Sequence, residues 1–97
     1  MLLGKYRIST HAKKQYAERV NSKNVVKNIR RDLRTLNIRN IVYAEDEIFV
    51  FTNNYLEFVF AKHRDRERDL LVLKTVIARN RRDTESKISR RQRLVTN

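Results

Sequence analysis

Residues 48 to 61 read Ile48-Phe49-Val50-Phe51-Thr52-Asn53-Asn54-Tyr55-Leu56-Glu57-Phe58-Val59-Phe60-Ala61, two β-branched and aromatic runs around an asparagine pair. Such side chains suit the pleated, half-buried surface of a strand, and asparagine tolerates the positive φ of a tight hairpin turn. The stretch therefore predicts an antiparallel hairpin. With Asn53-Asn54 as a two-residue loop, Phe51 faces Leu56 and Phe49 faces Phe58, and Phe60 continues that side as the core face. The opposite face then holds Val50, Thr52, Tyr55 and Glu57.

Outward from the hairpin, Ile41 to Ala44 and Leu70 to Ala78 repeat the same composition, so an antiparallel meander of about four strands is expected. Glu45-Asp46-Glu47 joins the first two runs, and the charged stretch Lys62 to Asp69 joins the last two. A register closing that stretch symmetrically sets Lys74 opposite Glu57 and gives Leu71, Leu73, Thr75 and Ile77 to the core. The outer face is too apolar to be fully wet, since Ile48, Val50, Val59, Val72 and Val76 would also be displayed. The basic C-terminal segment, a second copy of the chain or a partner protein are the candidates to cover it.

Toward the N-terminus, Lys5 to Ser9 reads as a short strand with Tyr6 and Ile8 on one face. Ser9 or Thr10 can cap a helix over 10–20, because a hydroxyl there accepts a backbone N–H left without an intrahelical partner. Asn21-Ser22 interrupts, and a second helix follows with Val26, Ile29, Leu33 and Leu36 in an apolar seam beside Val25. Its other side carries Lys23, Lys27, Arg30, Arg31 and Arg34, countered within the helix only by Asp32. Residues 79–97 form a basic extension in which helix is expected from about Thr84, with a thin seam of Ile88 and Val95 and mobility until bound. The fold class is thus α+β: a short N-terminal strand, two helices, then the antiparallel meander with helices on one face. Residues 1–78 form the domain and a basic tail or helix follows.

A chain of 97 residues buries about 60–65% of its unfolded surface in one core. Lys and Arg number 23 against 11 Asp and Glu, a formal net charge of +12, which raises encounter with phosphate polymers. Nucleic acid is the expected partner. No apolar run approaches a membrane span, and Met1-Leu2-Leu3 is too short for a signal peptide. Absence of cysteine leaves no disulfide framework and fits a cytoplasmic location. His11 and His63 lie in no recognised metal-ligand spacing, and no cofactor is expected.

The candidate chemistry begins at Thr10-His11-Ala12-Lys13-Lys14-Gln15-Tyr16-Ala17-Glu18-Arg19-Val20. Helical spacing sets His11, Gln15 and Arg19 in one row beside a seam of Ala12, Tyr16 and Val20. Metal-free RNA cleavage needs a proton carrier and a cation for the charge developing on phosphate. His11 titrates near neutrality, and Arg19 can fork onto phosphate oxygens, so these two are the candidate catalytic pair. The competing reading makes His11 a capping or packing residue and Arg19 a solvated helix charge. Glu57 with Lys74 and Tyr55 is a second candidate, against a plain cross-strand ion pair. His63 reads as an exposed loop residue, and Tyr43 and Tyr55 either stack on bases or complete the sheet. Phosphate contact is assigned to Lys23, Lys27, Arg30, Arg31 and Arg34, or to Arg81, Arg82, Arg90, Arg91 and Arg93, the cations being expected to gather on one exterior region.

The order strand, two helices, meander, together with His11-Ala12 followed by Glu18-Arg19, resembles the RelE and BrnT group of small toxin-type folds and their relatives on phage and mobile elements. The shared phrase is His-Ala-x-x-Arg-x-x-x-Arg, and Gln15 stands where that pattern usually has arginine. The resemblance covers roughly residues 5 to 78. It implies an α+β domain whose sheet supports RNA contact or cleavage by a metal-independent endoribonuclease, often with an antitoxin partner. The alternatives are a non-catalytic nucleic-acid or ribonucleoprotein binding module of phage type, and a small interaction protein docking on a host protein through its sheet. A homodimer is compatible with each.

Overall fold

The computed structural model describes residues 4–65 and 68–95; Met1-Leu2-Leu3, Arg66-Glu67 and Thr96-Asn97 lie outside the described residues. The chain runs β1 (Tyr6–Ile8), α1 (Thr10–Arg19), α2 (Val25–Asp32), a 3-10 turn (Thr35–Asn37), β2 (Ile38–Tyr43), β3 (Glu47–Thr52), β4 (Leu56–Asp65), β5 (Arg68–Ala78) and α3 (Arg81–Arg93). The strands form one sheet in the order β1-β5-β4-β3-β2. From β2 to β5 it is the expected antiparallel meander. β1 pairs in parallel with β5, Tyr6 opposite Leu71 and Ile8 opposite Leu73, so the sheet is mixed and has five strands. Much of the charged stretch from Lys62 to Asp69 is strand, with His63 opposite Leu70 and Arg64 opposite Asp69.

The hairpin loop is one residue longer than the asparagine pair suggests. The Tyr55 N–H donates to Thr52 O at 3.1 Å, and Tyr55 itself takes φ +61°. This is a three-residue connection, a turn closed by a left-handed residue. The Thr52 hydroxyl completes it by accepting the Leu56 N–H at 3.2 Å. Because side chains alternate with period two, one extra residue reverses the facing of one strand relative to the other. Val50 therefore lies opposite Phe58 and Ile48 opposite Phe60, while Phe49 faces Val59 and Phe51 faces Glu57. The four phenylalanines, expected on one face, are divided between two.

A bulge in the β4–β5 pair corrects a second expectation. Val59 lies opposite Thr75 and Phe60 opposite Leu73, leaving Lys74 as the extra residue. Lys74 is ion-paired with Glu47 rather than facing Glu57. The bulge also switches the facing of β5, so Leu71, Leu73 and Val76 pack with α1 and α2 while Ile77 packs on the other side.

Each face has its own cluster. Ala12, Tyr16, Ile29 and Leu33 pack against Val50, Phe58, Phe60, Leu73 and Val76. Val42, Phe49, Phe51 and Val59 form the second cluster with Ile88 of α3. Helices thus lie on both faces: of the side chains expected on the outer face, Ile48, Val50 and Val76 lie under α1 and α2, while Val59 lies with Phe49 and Phe51 under α3, the basic C-terminal segment. α3 begins earlier than Thr84 because the Asn80 side chain caps it, its Oδ1 accepting the Asp83 N–H at 2.8 Å. It is docked rather than loose.

Helix α2 is shorter than its seam implies. The Asn37 side-chain amide donates to Asp32 O at 2.8 Å, and the Asn37 N–H donates to Arg34 O at 2.9 Å. These bonds hold the chain in a tight turn where another helical turn would have followed. Ile29 and Leu33 are buried as expected, whereas Leu36 is 96% exposed and Val26 is exposed as well. Of the α1 seam, Ala12 and Tyr16 are buried and Val20 is not.

Candidate nucleic-acid interface

The row on α1 has a structural function at its lower end. β1 accompanies β5 only as far as Leu73, where the Ser9 N–H donates to Leu73 O. Beyond that point, among the described residues, β5 has no strand on that side, and its main chain would be left without partners under α1. Gln15 Oε1 accepts the Val76 N–H at 2.9 Å, and Arg19 Nη1 donates to Val76 O at 2.9 Å. The two side chains act as a substitute strand and cover the sheet edge. An arginine at position 15 would offer the Val76 N–H no acceptor.

His11 is exposed on the first turn of α1, whose cap is Ser9 Oγ accepting the Ala12 N–H at 3.0 Å. Arg19 lies eight positions further along α1, about 12 Å along the axis. Arg19 has one guanidinium nitrogen engaged by the sheet. The two candidate catalytic groups are therefore not drawn to one point by the fold.

Among the described residues, none of the α2 cations is ion-paired. Lys23, Lys27, Arg30, Arg31 and Arg34 are all exposed, though Lys23 and Arg34 lie just outside the helix. Asp32, the acid among them, is buried and turned inward, where its Oδ2 accepts the Tyr16 hydroxyl at 2.5 Å. Burial, reinforced by the Asp32 bond and charge, pushes the Tyr16 hydroxyl pKa well above its ordinary value. Asn54 joins this network, donating to Asp32 Oδ1 at 3.4 Å and accepting from Asn37 at 3.1 Å.

Between α2 and the open edge of β1 runs a shallow groove of about 370 Å³ lined by Tyr6, Arg7, Ile8, Lys13, Val26 and Arg30. A second hollow of about 370 Å³ continues it past Gly4, Lys5, Tyr6 and Arg30. The Arg30 guanidinium lies over the Tyr6 ring, 5.9 Å from its centre. Every charged residue lining these two hollows, among the described residues, is cationic. Sequence reasoning found Arg30 but missed Lys5, Tyr6, Arg7 and Lys13. The signal was present in the alternation of Lys5-Tyr6-Arg7-Ile8; what was missing was knowledge that this strand forms a sheet edge beside α2.

The C-terminal cations lie on the other side of the sheet. Arg91 is half-buried, its Nε donating to Glu57 Oε2 at 3.2 Å and its guanidinium stacking 4.2 Å from the centre of the Phe49 ring. Arg79 Nε donates to Glu57 Oε1 at 2.8 Å. Glu57 is 0% exposed, so this carboxylate ties α3 to the sheet from within, and a further ion pair joins Arg39 to Glu85. Glu57 is therefore the partner of Arg79 and Arg91 and not of Lys74. Arg81, Arg82, Arg90 and Arg93 remain exposed on α3. The two basic groups thus lie on opposite faces of the sheet instead of gathering on one exterior region.

Tyr43 is exposed on β2, Tyr55 is half-buried in the hairpin turn and His63 is exposed on β4. Among the described residues, no three His, Cys, Asp or Glu side chains group as metal ligands, and no helix is long and apolar enough to cross a membrane. In comparison with known proteins, no family model, curated sequence or solved structure matches the chain.

Proposed function

We propose that the chain binds the phosphate backbone of nucleic acid, RNA in the first instance, through the surface formed by β1, α1 and α2. The observation that carries this reading is the groove between β1 and α2, in which Arg7, Lys13 and Arg30 converge with Lys5 beside them and, among the described residues, no acid lines it. Lys27 and Lys23 extend the same sign along α2, and Arg31 and Arg34 continue it to the helix end. Cations held in a concave site focus the field on a polyanion, and each phosphate neutralised releases condensed counterions. The α3 face is the weaker candidate, since Arg79, Arg91 and Arg39 are engaged by Glu57 and Glu85.

The resemblance to RelE and BrnT toxins adds an expectation of metal-independent cleavage and of an antitoxin partner. Geometry favours binding without cleavage, because Arg19 is bonded to the sheet edge and His11 stands two turns away. Binding to a labelled RNA should fall on the order of a thousandfold between 50 and 200 mM salt if about six phosphates are neutralised. Absent or salt-independent binding would favour docking on a protein instead. Incubation with mixed RNAs in EDTA, beside His11→Ala, checks the enzyme reading: no decay is expected from either protein, and decay lost only in the variant would restore the toxin-type assignment.

A further inference from the structure

Resting on the phosphate-binding reading above, we infer that the groove between β1 and α2 takes an unpaired nucleotide strand, with a base stacked against the Arg30–Tyr6 pair, and not a duplex. The groove is of single-nucleotide size, about 370 Å³, near the lower end of small-ligand sites. Its floor is not merely charged. Tyr6 stands edge-on to Phe60, with ring centres 5.4 Å apart and planes inclined at 77°, so the buried core fixes the ring. Arg30 rests over that ring, and Ile8 and Val26 extend the floor as apolar surface.

Aromatic rings and guanidinium planes are the two protein surfaces on which unpaired bases stack. A duplex keeps its base faces within its own stack and offers only groove edges and phosphates, so the apolar floor would go unused. Arg7 and Lys13 at the rim, with Lys5 in the continuing hollow, stand where a backbone would pass on either side of the stacked base.

The test compares three labelled probes of equal length by fluorescence anisotropy with the full chain at low salt: an oligoadenylate strand, an abasic strand with the same backbone, and a duplex. Ribose and deoxyribose versions of the oligoadenylate run as separate arms, and the tighter arm names the source of the strand. The base-bearing strand should bind roughly tenfold or more tighter than the abasic one, and tighter than the duplex. Arg30→Lys, which keeps the charge but removes the planar group, should bring the ratio of base-bearing to abasic affinity toward one. Equal affinity for the first two probes, or preference for the duplex, would overturn the stacking inference while leaving phosphate binding intact. Failure of all three probes to bind would overturn the phosphate reading itself.

Discussion

On one face of the sheet, α1 and α2 bury Ala12, Tyr16, Ile29 and Leu33 against the strands; on the other, α3 buries Ile88 and Thr84 and is otherwise fastened by charge. Each large apolar side chain contributes roughly 1.5 to 3 kcal/mol when fully buried, so the first layer is held by several such terms and the second by about one. Glu57 supplies much of the rest on the α3 side through Arg79 and Arg91. This difference decides where the surface charge is available. A helix held by apolar contacts beneath it leaves its outer cations free, as α2 does, whereas a helix held by ion pairs has part of its charge neutralised by the sheet.

The largest effect expected lies in the α1/α2 face. Phe60→Ala should destabilise the chain by about 3–5 kcal/mol in urea unfolding, from reduced burial and the cavity left; a cost under about 1 kcal/mol would mean that the face is loosely packed. Next comes the ionic fastening of α3. Glu57→Ala removes the shared acid from two arginines and should cost about 3 kcal/mol, the low end for breaking a buried pair, because Arg79 and Arg91 still reach water. Ile88→Ala should cost about 2 kcal/mol. If Ile88→Ala exceeds Glu57→Ala, the two faces are held by the same physics and the contrast fails.

Tyr16 gives a smaller and pH-dependent effect. Its hydroxyl pKa is raised from the ordinary value of 10.0 in the folded state, by burial first and by Asp32 second. The unfolded chain therefore ionises before the folded one as pH rises. The stabilising contribution is complete below about pH 10 and is lost progressively above it. Tyr16→Phe should cost about 1–2 kcal/mol at neutral pH, because it deprives buried Asp32 of a donor, and should flatten the alkaline fall in stability measured by circular dichroism. The raised pKa of Tyr6 acts in the same direction, so a residual slope should remain in the variant.

The meander and the helix pair were legible because periodicity reports which residues are buried. Register was not, because it turned on Tyr55 entering the left-handed region and on Lys74 standing out as a bulge. Each slips a strand by one residue, and the apolar pattern of β3 and β4 permits either facing, since both faces are covered. Position in the sheet was equally hidden: nothing in Tyr6-Arg7-Ile8 tells that it joins β5, yet that pairing creates both the groove and the bare edge that Gln15 and Arg19 cover. The basic stripe was read correctly as exposed. Its separation from the C-terminal arginines depended on where α3 docks, and one buried glutamate on β4 supports that docking.

The most direct test is the dependence of RNA affinity on salt for two variants that each remove three positive charges. One carries Arg7→Gln, Lys13→Gln and Arg30→Gln in the groove; the other carries Arg81→Gln, Arg82→Gln and Arg90→Gln on α3. Each phosphate that the protein ceases to neutralise lowers the slope of log affinity against log salt by about 0.7 to 0.9. The slope should fall by about two in the first variant and by less than about one in the second. A fall confined to the α3 variant, with the groove variant binding as the native chain does, would contradict the assignment of the interface to β1, α1 and α2.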